Sequence, residues 1–388
     1  VMPPEAVSPT SGATRSPDVD AGPTGEDGTT GRVGGAGRIG RVGWVDAAKG
    51  LCILLVVSGH AIITLNNNGY ATGAWEHINM LIGPVRMPLF FLLSGLFAAK
   101  ALSESWRKFA DRRVWIMVWL FVLWVPIREI WLSLIPDTNV GHSGDIPAPR
   151  GADPQNWLPM LENIGRSVLG PPSYLWFLYA LALFAVLSKL TRRVPPVVQI
   201  VVAGAVSMLS PMAGFGWPWN DILHTYVFYL LGMYAAPWIH RMARMRSLWI
   251  IGGSTALYTV VALWVDATND HFLIGLNGPL KVFLASVGII AVISAFSYME
   301  SWRIMVPFSK VGSRTLPVFL MHIMVLATVI FVFNLLLPAD PGLPLQPLIL
   351  GVIAVVLSLG LHKVLTASGF AWLFSRPQWL RRRYLSVE

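Results

Sequence analysis

The sequence predicts an all-α integral membrane protein, a bundle of about ten transmembrane helices with both termini in the cytoplasm. Hydrophobic residues make up 54% of the chain and charged residues 13%, and the mean hydropathy is +0.59, outside the usual range of soluble globular proteins. Apolar runs long enough to cross a bilayer recur along the chain, and basic residues cluster in every second loop. These observations favour a multi-pass protein of the cell inner (plasma) membrane.

The predicted spans follow the apolar runs, each near the length that the hydrocarbon core of a bilayer requires. In chain order they are 47–66, 78–99, 114–135, 173–190, 196–213, 221–239, 247–266, 279–298, 315–337 and 345–365. Gly and Pro interrupt the fifth and sixth runs, which are therefore the least regular of the set.

The loops between these spans alternate in charge. Basic clusters occur at 100–113, 189–193, 241–246, 303–314 and 381–383. The intervening loops carry almost no basic residues, so the positive-inside rule places every cluster in the cytoplasm. The net charge of +9 thus reflects topology, and its division among short loops argues against a nucleic-acid partner.

The segments outside the spans differ in composition. Residues 1–40 are rich in Gly, Pro, Ser and Thr and are predicted to form a disordered cytoplasmic tail rather than a signal peptide. The transmembrane domain is expected over 41–370, followed by a basic cytoplasmic tail at 371–388. The long outer loop, 136–172, is rich in proline and is expected to cap the domain.

The first span contains two ionisable residues, Lys49 and His60, in an otherwise apolar run. At about 100° per residue, eleven residues make about three turns, so both side chains project from one face, about 16 Å apart. A charge in hydrocarbon is costly unless it faces a cavity or a partner. The pair therefore indicates a functional site, with a helix-tying polar pair as the structural alternative.

Counting about 1.5 Å per helical residue places Arg86 of the second span level with His60. Arg86 lies between Pro84 and Pro88, where the helix is expected to open locally.

Other polar and aromatic residues lie within the spans. Arg128 and Glu129 reach a similar depth, although as chain neighbours they are expected to point in different directions. Trp176 and Tyr179 lie near the outer end of the fourth span, where an aromatic belt is common. His322 lies just past Pro317, towards the cytoplasmic side of the ninth span, and suits a packing role as well as a binding role. The single cysteine, Cys52, allows no internal disulfide, and no Cys/His spacing indicates a metal site.

Five segments resemble the membrane-bound acyltransferase family 3. They are WVDAAKGLCILLVVSGH (44–60), RMPLFFLLSG (86–95), DRRVW (111–115), LWFLYAL (175–181) and SRTLPVFLMH (313–322). The first resembles the family's pattern of a basic residue, ten spacers and a histidine. Lys49 replaces the arginine of many members, which keeps the charge but loses the planar guanidinium fork. The second resembles the family's Phe-rich segment ending in Ser-Gly, here Ser94 and Gly95, and the resemblance covers residues 43–370.

This resemblance implies transfer of an acyl group, usually acetyl, from a cytoplasmic coenzyme A thioester to a sugar hydroxyl of an envelope glycan or glycolipid. Such a reaction needs a base, a donor for the tetrahedral oxyanion and an anchor for the phosphates of acetyl-CoA or another acyl-CoA. His60 suits the base, Arg86 the charge stabiliser, and Lys49, Arg112 and Arg113 the phosphate anchor. The residues expected to contact the acceptor are Arg128, Glu129, Trp176 and Tyr179. No metal is expected, and both direct transfer and an acyl-histidine intermediate remain open.

Two other functions fit the composition. A transporter or flippase of a lipid-linked sugar would use His60 and Arg86 for binding or proton coupling, but the sequence lacks the internal repeat typical of many transporters. A sensor would bind acyl donors without turnover.

Overall fold

A computed structural model describes residues 43–135, 140, 158–167, 170–171, 173–268, 277–336 and 340–377. Within these ranges all regular secondary structure is helical. The predicted N-terminal tail, the 381–383 cluster and most of the predicted outer loop lie outside the described residues. The described part of the chain agrees with the predicted all-α bundle, while the cytoplasmic location of both termini stays a prediction.

Each of the ten apolar runs overlaps one of the longer helices. In chain order the helices are α1 (Gly43–Asn67), α2 (Ala74–Gly95), α3 (Trp106–Phe109), α4 (Trp115–Leu134), α5 (Leu158–Arg166), α6 (Trp176–Leu190), α7 (Pro196–Leu209), α8 (Trp219–Tyr234), α9 (Ala236–Met245), α10 (Leu248–Thr268), α11 (Asn277–Tyr298), α12 (Met305–Gly312), α13 (Thr315–Leu336) and α14 (Gln346–Ala367). Four shorter helices of the described residues, α3, α5, α9 and α12, lie largely outside the runs. Eight helical segments in the described ranges are long and apolar enough to cross a membrane, or nine when α8 and α9 count as one bent span. The fourth predicted span corresponds to the shorter α6.

The sixth predicted span, 221–239, extends five residues past the end of its helix. The helix ends at Tyr234, and the chain turns by 77° into α9. Pro237 lies in the first turn of α9, where its missing N–H costs nothing because that group has no helical partner. The apolar run therefore continues through a bend that hydropathy alone does not reveal.

Helices α1 and α13 form the centre of the bundle. In each, 61% of the most apolar stretch is buried inside the protein, compared with 6% for the peripheral α10. Helix α1 packs against α2, α11, α12, α13 and α14. Polar side chains on the inner faces of α1 and α13 consequently meet protein rather than lipid.

Two pairs of glycines allow helices to meet at their backbones. A Cβ atom on Gly50 of α1 would lie 2.0 Å from a backbone oxygen of α12, and one on Gly312 would lie 1.7 Å from a backbone oxygen of α1. Gly95 of α2 and Gly232 of α8 approach in the same manner, at 2.1 and 2.0 Å. Small residues at such crossings are typical of membrane helices. These contacts fix α12 against the first part of α1 and fix α2 against α8.

Candidate active site

Two histidines meet at the centre of the bundle. The ring centroids of His60 on α1 and His322 on α13 lie 5.3 Å apart, with the ring planes at 48°. The Nδ1 atom of His322 lies 3.1 Å from the carbonyl oxygen of Val318 and 2.8 Å from that of Phe319. Because a carbonyl oxygen only accepts, Nδ1 carries the hydrogen and Nε2 holds the lone pair of the neutral ring. That Nε2 is buried and has no hydrogen-bond partner among the described residues.

The contact between α1 and α12 explains why these histidines are level. Gly50 and Gly312 face each other at this crossing, and each histidine follows its glycine by ten residues. Ten helical residues correspond to about 15 Å. The depth of His322, counted from the start of the ninth span, predicted a position near the cytoplasm. Helix α12, which packs against α1, already lies inside the bundle before α13 begins. His322 on α13 is therefore deeper than predicted.

A tyrosine that the sequence analysis missed packs beside His322. The ring of Tyr174 lies 4.9 Å from that of His322, edge to face, and its hydroxyl donates a hydrogen bond of 2.9 Å to the backbone oxygen of Leu320. The motif around 175–181 drew attention to Trp176 and Tyr179 instead. A tyrosine one residue outside a motif carries no distinguishing signal in a single sequence.

Arg128 and Glu129 form a buried ion pair with each other. The expectation that they point in different directions is therefore wrong, because both side chains bend to one side of α4, where burial leaves each charge in need of a partner. The pair lies within electrostatic range of the Tyr174 hydroxyl. It thus belongs to the surroundings of the histidines.

Trp176 and Tyr179 pack in the aromatic core. Trp176 is buried, and its ring lies 5.7 Å from Phe91. Tyr179 is half-buried, with ring partners Phe121 at 5.8 Å and Trp219 at 5.9 Å. These partners support a packing role for both residues, and the tyrosine that contacts His322 is Tyr174.

Arg86 lies beside the residue that precedes His60. A Cβ atom on Gly59 would lie 2.2 Å from Nη1 of Arg86, so a larger residue at position 59 would require the guanidinium group to move. Its Nη2 donates to Asn79, at 2.5 Å to the side-chain oxygen and 3.2 Å to the backbone oxygen. Nε of Arg86 is buried without a hydrogen-bond partner among the described residues, so one N–H group remains for a substrate oxygen. His60 and Arg86 are level, as the depth count predicts.

The two prolines beside Arg86 do not break α2, which runs continuously from Ala74 to Gly95. Side chains instead donate to carbonyl groups in the turn before Pro84. The Arg86 guanidinium bonds to the backbone oxygen of Asn79, and the Tyr258 hydroxyl bonds to that of Leu81. The helix therefore does not open as expected. The local change is that carbonyl groups before Pro84 accept hydrogen bonds from side chains, which is common near proline in membrane helices.

The basic residues at the opposite end of α1 converge on Phe97. Nζ of Lys49 lies 5.2 Å from the centroid of the Phe97 ring, and Nη2 of Arg113 donates a bond of 2.5 Å to the Phe97 backbone oxygen. Arg112 is exposed but forms an ion pair of 2.9 Å with Glu104. Both arginines lie in a π-helical turn between α3 and α4, a feature frequent at functional sites. Lys49 and Arg113 are thus better placed than Arg112 to receive a phosphate.

Cys52 is a free thiol, fully buried in the core. No group of three or more His, Cys, Asp or Glu side chains in the described ranges is arranged to hold a metal ion.

Comparisons with known proteins address most of the chain. A family model described as an acyltransferase domain, of the acyltransferase 3 type, matches residues 42–363. The chain is also similar to the inner membrane protein YcfT of Escherichia coli (strain K12), with 24% identity over 295 residues that cover 72% of this chain and 78% of YcfT. No solved structure matches. The matched range includes both central histidines and all the predicted site residues.

Proposed function

Because the chain belongs to the acyltransferase 3 family, we propose that this membrane acyltransferase moves an acyl group, in the simplest case acetyl, from cytoplasmic acyl-CoA to a hydroxyl of an envelope glycan or glycolipid. The observation that carries the proposal is the pair of histidines at the centre of the bundle, beside Arg86. Imidazole exchanges protons near neutral pH, and two such rings inside an apolar bundle are unusual for a purely structural contact.

His60 acts as the general base. It takes the proton of the acceptor hydroxyl while that oxygen attacks the thioester carbonyl carbon, which forms a tetrahedral intermediate. Arg86 lies level with His60 and has a buried Nε–H without a hydrogen-bond partner among the described residues, so it can donate to the developing oxyanion. The C–S bond then breaks, and the coenzyme A thiolate receives the proton from the imidazolium. His322 presents a second basic nitrogen beside this path.

The donor enters from the end of the bundle that carries Lys49 and Arg113. Both cations are grouped around Phe97, near the end of α2. Lys49 lies eleven residues before His60 on α1, which corresponds to about 16 Å along the helix axis. This separation allows cofactor phosphates to stay at the membrane surface while the thin pantetheine arm carries the thioester to the histidines.

Purified full-length protein in liposomes tests the proposal. With labelled acetyl-CoA and an envelope extract, we expect release of coenzyme A and transfer of the label to a glycan or glycolipid, and neither in the His60→Ala variant. Comparative mass spectrometry of envelopes with and without the gene should show a lost acyl mass. A flippase would instead move labelled glycolipid across the liposome membrane without any acyl donor, and that result would overturn the proposal.

A further inference from the structure

A second site lies at the end of the bundle opposite the basic loops. A pocket of about 380 Å³ opens between the start of α2, the end of α10 and the side of α11. Its principal lining residues are His77, Met80 and Pro84 of α2, Ala262 and Asp266 of α10, and Leu284 of α11. The predicted topology places this end of the bundle on the outer side of the membrane.

The pocket combines two polar groups with an apolar wall. Nδ1 of His77 and Oδ1 of Asp266 lie 3.8 Å apart, which is too long for a direct hydrogen bond. The His77 side chain is 66% exposed and that of Asp266 is 35% exposed, so both can bond to a third molecule. A carboxylate and an imidazole accept from hydroxyl groups, and the wall formed by Pro84 and Leu284 suits the C–H face of a sugar ring.

The inner end of this pocket lies against the segment of α2 that carries Arg86, since Pro84 lines the pocket two residues before it. Tyr258 lies one helical turn below Ala262 on the same face of α10. Its hydroxyl donates to the backbone oxygen of Leu81, itself a lining residue, and Tyr258 lies within electrostatic range of Arg86. The pocket wall and the Arg86 site therefore share one segment of α2.

We propose that this pocket binds the sugar of the acceptor, between His77 and Asp266, and presents its hydroxyl groups towards Arg86 and His60. This inference rests on the proposed acyl transfer, because it assigns the acceptor to the outer end of the bundle while the donor enters from the other end. The ligand class is a polyhydroxylated sugar, either the end of a glycan or the headgroup of a glycolipid.

Cysteine protection tests the binding step without any acyl transfer. A Met80→Cys variant of the full chain, labelled with a membrane-impermeant maleimide, should be protected by envelope glycolipid extract or by delipidated envelope glycan. Protection by only one of them identifies the source of the sugar. Periodate treatment, which cleaves vicinal diols, should abolish protection. Met212→Cys, which is also exposed but lies outside the pocket, is the control and should show no protection. Labelling of Met80→Cys that is unaffected by both extracts would overturn the proposal.

Kinetics of a paired substitution test the pocket in the transfer reaction. Ala262→Trp fills the pocket and should raise the apparent KM for the acceptor extract about tenfold or more, with a smaller effect on the KM for acetyl-CoA. Leu263→Trp adds the same ring on the exposed side of α10 and should behave like the unmodified protein. If Ala262→Trp does not accumulate in membranes, Asp266→Asn, at the half-exposed rim, gives the same test. If the unmodified protein is active and the two variants have equal kinetics, the pocket does not bind the acceptor, while the proposed acyl transfer still holds. If the unmodified protein transfers no acyl group, the proposed function itself is contradicted.

Discussion

At the scale of single residues, the hydrogen bonds of the His322 ring distinguish a role in the reaction from a role in helix packing alone. A histidine that only ties helices together is expected to have both ring nitrogens bonded, because an unpaired buried polar atom costs about 1–3 kcal/mol. His322 bonds through Nδ1 to carbonyl groups of its own helix and leaves Nε2 without a hydrogen-bond partner among the described residues. The nitrogen that points away from α13 is therefore the basic one, which suits a ring that meets substrate or His60.

His60→Ala should abolish acyl transfer while leaving membrane insertion and donor binding largely intact. Loss of a general base typically lowers kcat by about 10² to 10⁴. His322→Ala should also lower kcat, whereas Tyr174→Phe, which loses only a bond to the backbone oxygen of Leu320, should retain most activity. Turnover of labelled acetyl-CoA by protein of equal abundance is the measurement. Near-normal turnover of His60→Ala would remove His60 from the mechanism.

The cationic residues should divide into two kinetic classes. Lys49→Gln and Arg113→Gln should raise the KM for acyl-CoA more than they lower kcat, since phosphate contacts act in the ground state and transition state alike. Arg112→Gln should have a weaker effect, because Glu104 already pairs with that guanidinium. Arg86→Gln should mainly lower kcat, as expected of a group that binds the oxyanion. Lys49→Arg keeps the charge and should retain function. Equal changes of KM and kcat in all four Gln variants would contradict this division.

At the scale of helices, hydropathy located the segments better than their ends. The apolar run 221–239 predicted one straight span, but the chain bends after Tyr234 and continues as α9, whose first turn contains Pro237. The run 173–190 predicted a full span, and the helix within it has only 15 residues. Hydropathy measures the preference of a stretch for lipid, whereas bends and ends depend on backbone hydrogen bonds and on neighbouring helices.

Because α2 and α8 are in contact through their backbones, one added methyl group at this crossing should clearly lower the stability of the protein. Gly232→Ala places a Cβ atom about 2 Å from the backbone oxygen of Leu92, so the helices must separate. Overpacking of this kind typically costs about 1–3 kcal/mol, and we expect a lower thermal unfolding midpoint in detergent. Gly252→Ala on α10 is the matched control, because a Cβ atom there meets open space and alanine favours a helix. Equal midpoints for the two variants would contradict close packing at this crossing.

At the scale of the whole molecule, the sequence predicted the architecture more fully than the site. Composition and loop charge depend on each segment alone, so the all-α bundle could be predicted from a single sequence. The contact of His60 with His322 depends on which helices are neighbours and on how α12 offsets α13, and neither is encoded in local periodicity. The level of Arg86 could be predicted because it needs only the number of residues between each side chain and the cytoplasmic end of its own span.

The routes proposed for the acyl donor and for the acceptor sugar both depend on the orientation of the bundle in the membrane. The positive-inside rule predicts that cysteines at positions 105, 192, 244 and 310, all exposed, react from the cytoplasm. Positions 70, 150, 216 and 270 should face outward. Tyr70 is buried and Gly216 has a positive φ, so Asn66 and Phe215, both exposed, are better reporters, while 150 and 270 lie outside the described residues.

Impermeant maleimide applied to intact cells should label Asn66→Cys and Phe215→Cys, and should label Ser105→Cys and Arg244→Cys only after the membrane is opened. The native Cys52 is fully buried and should stay unlabelled in both conditions. Labelling of Ser105→Cys and Asn66→Cys from the same side would require an even number of crossings between them. Donor phosphates and acceptor sugars would then share one face of the membrane, and the separate routes along Lys49 and along the pocket between His77 and Asp266 would both lose their basis.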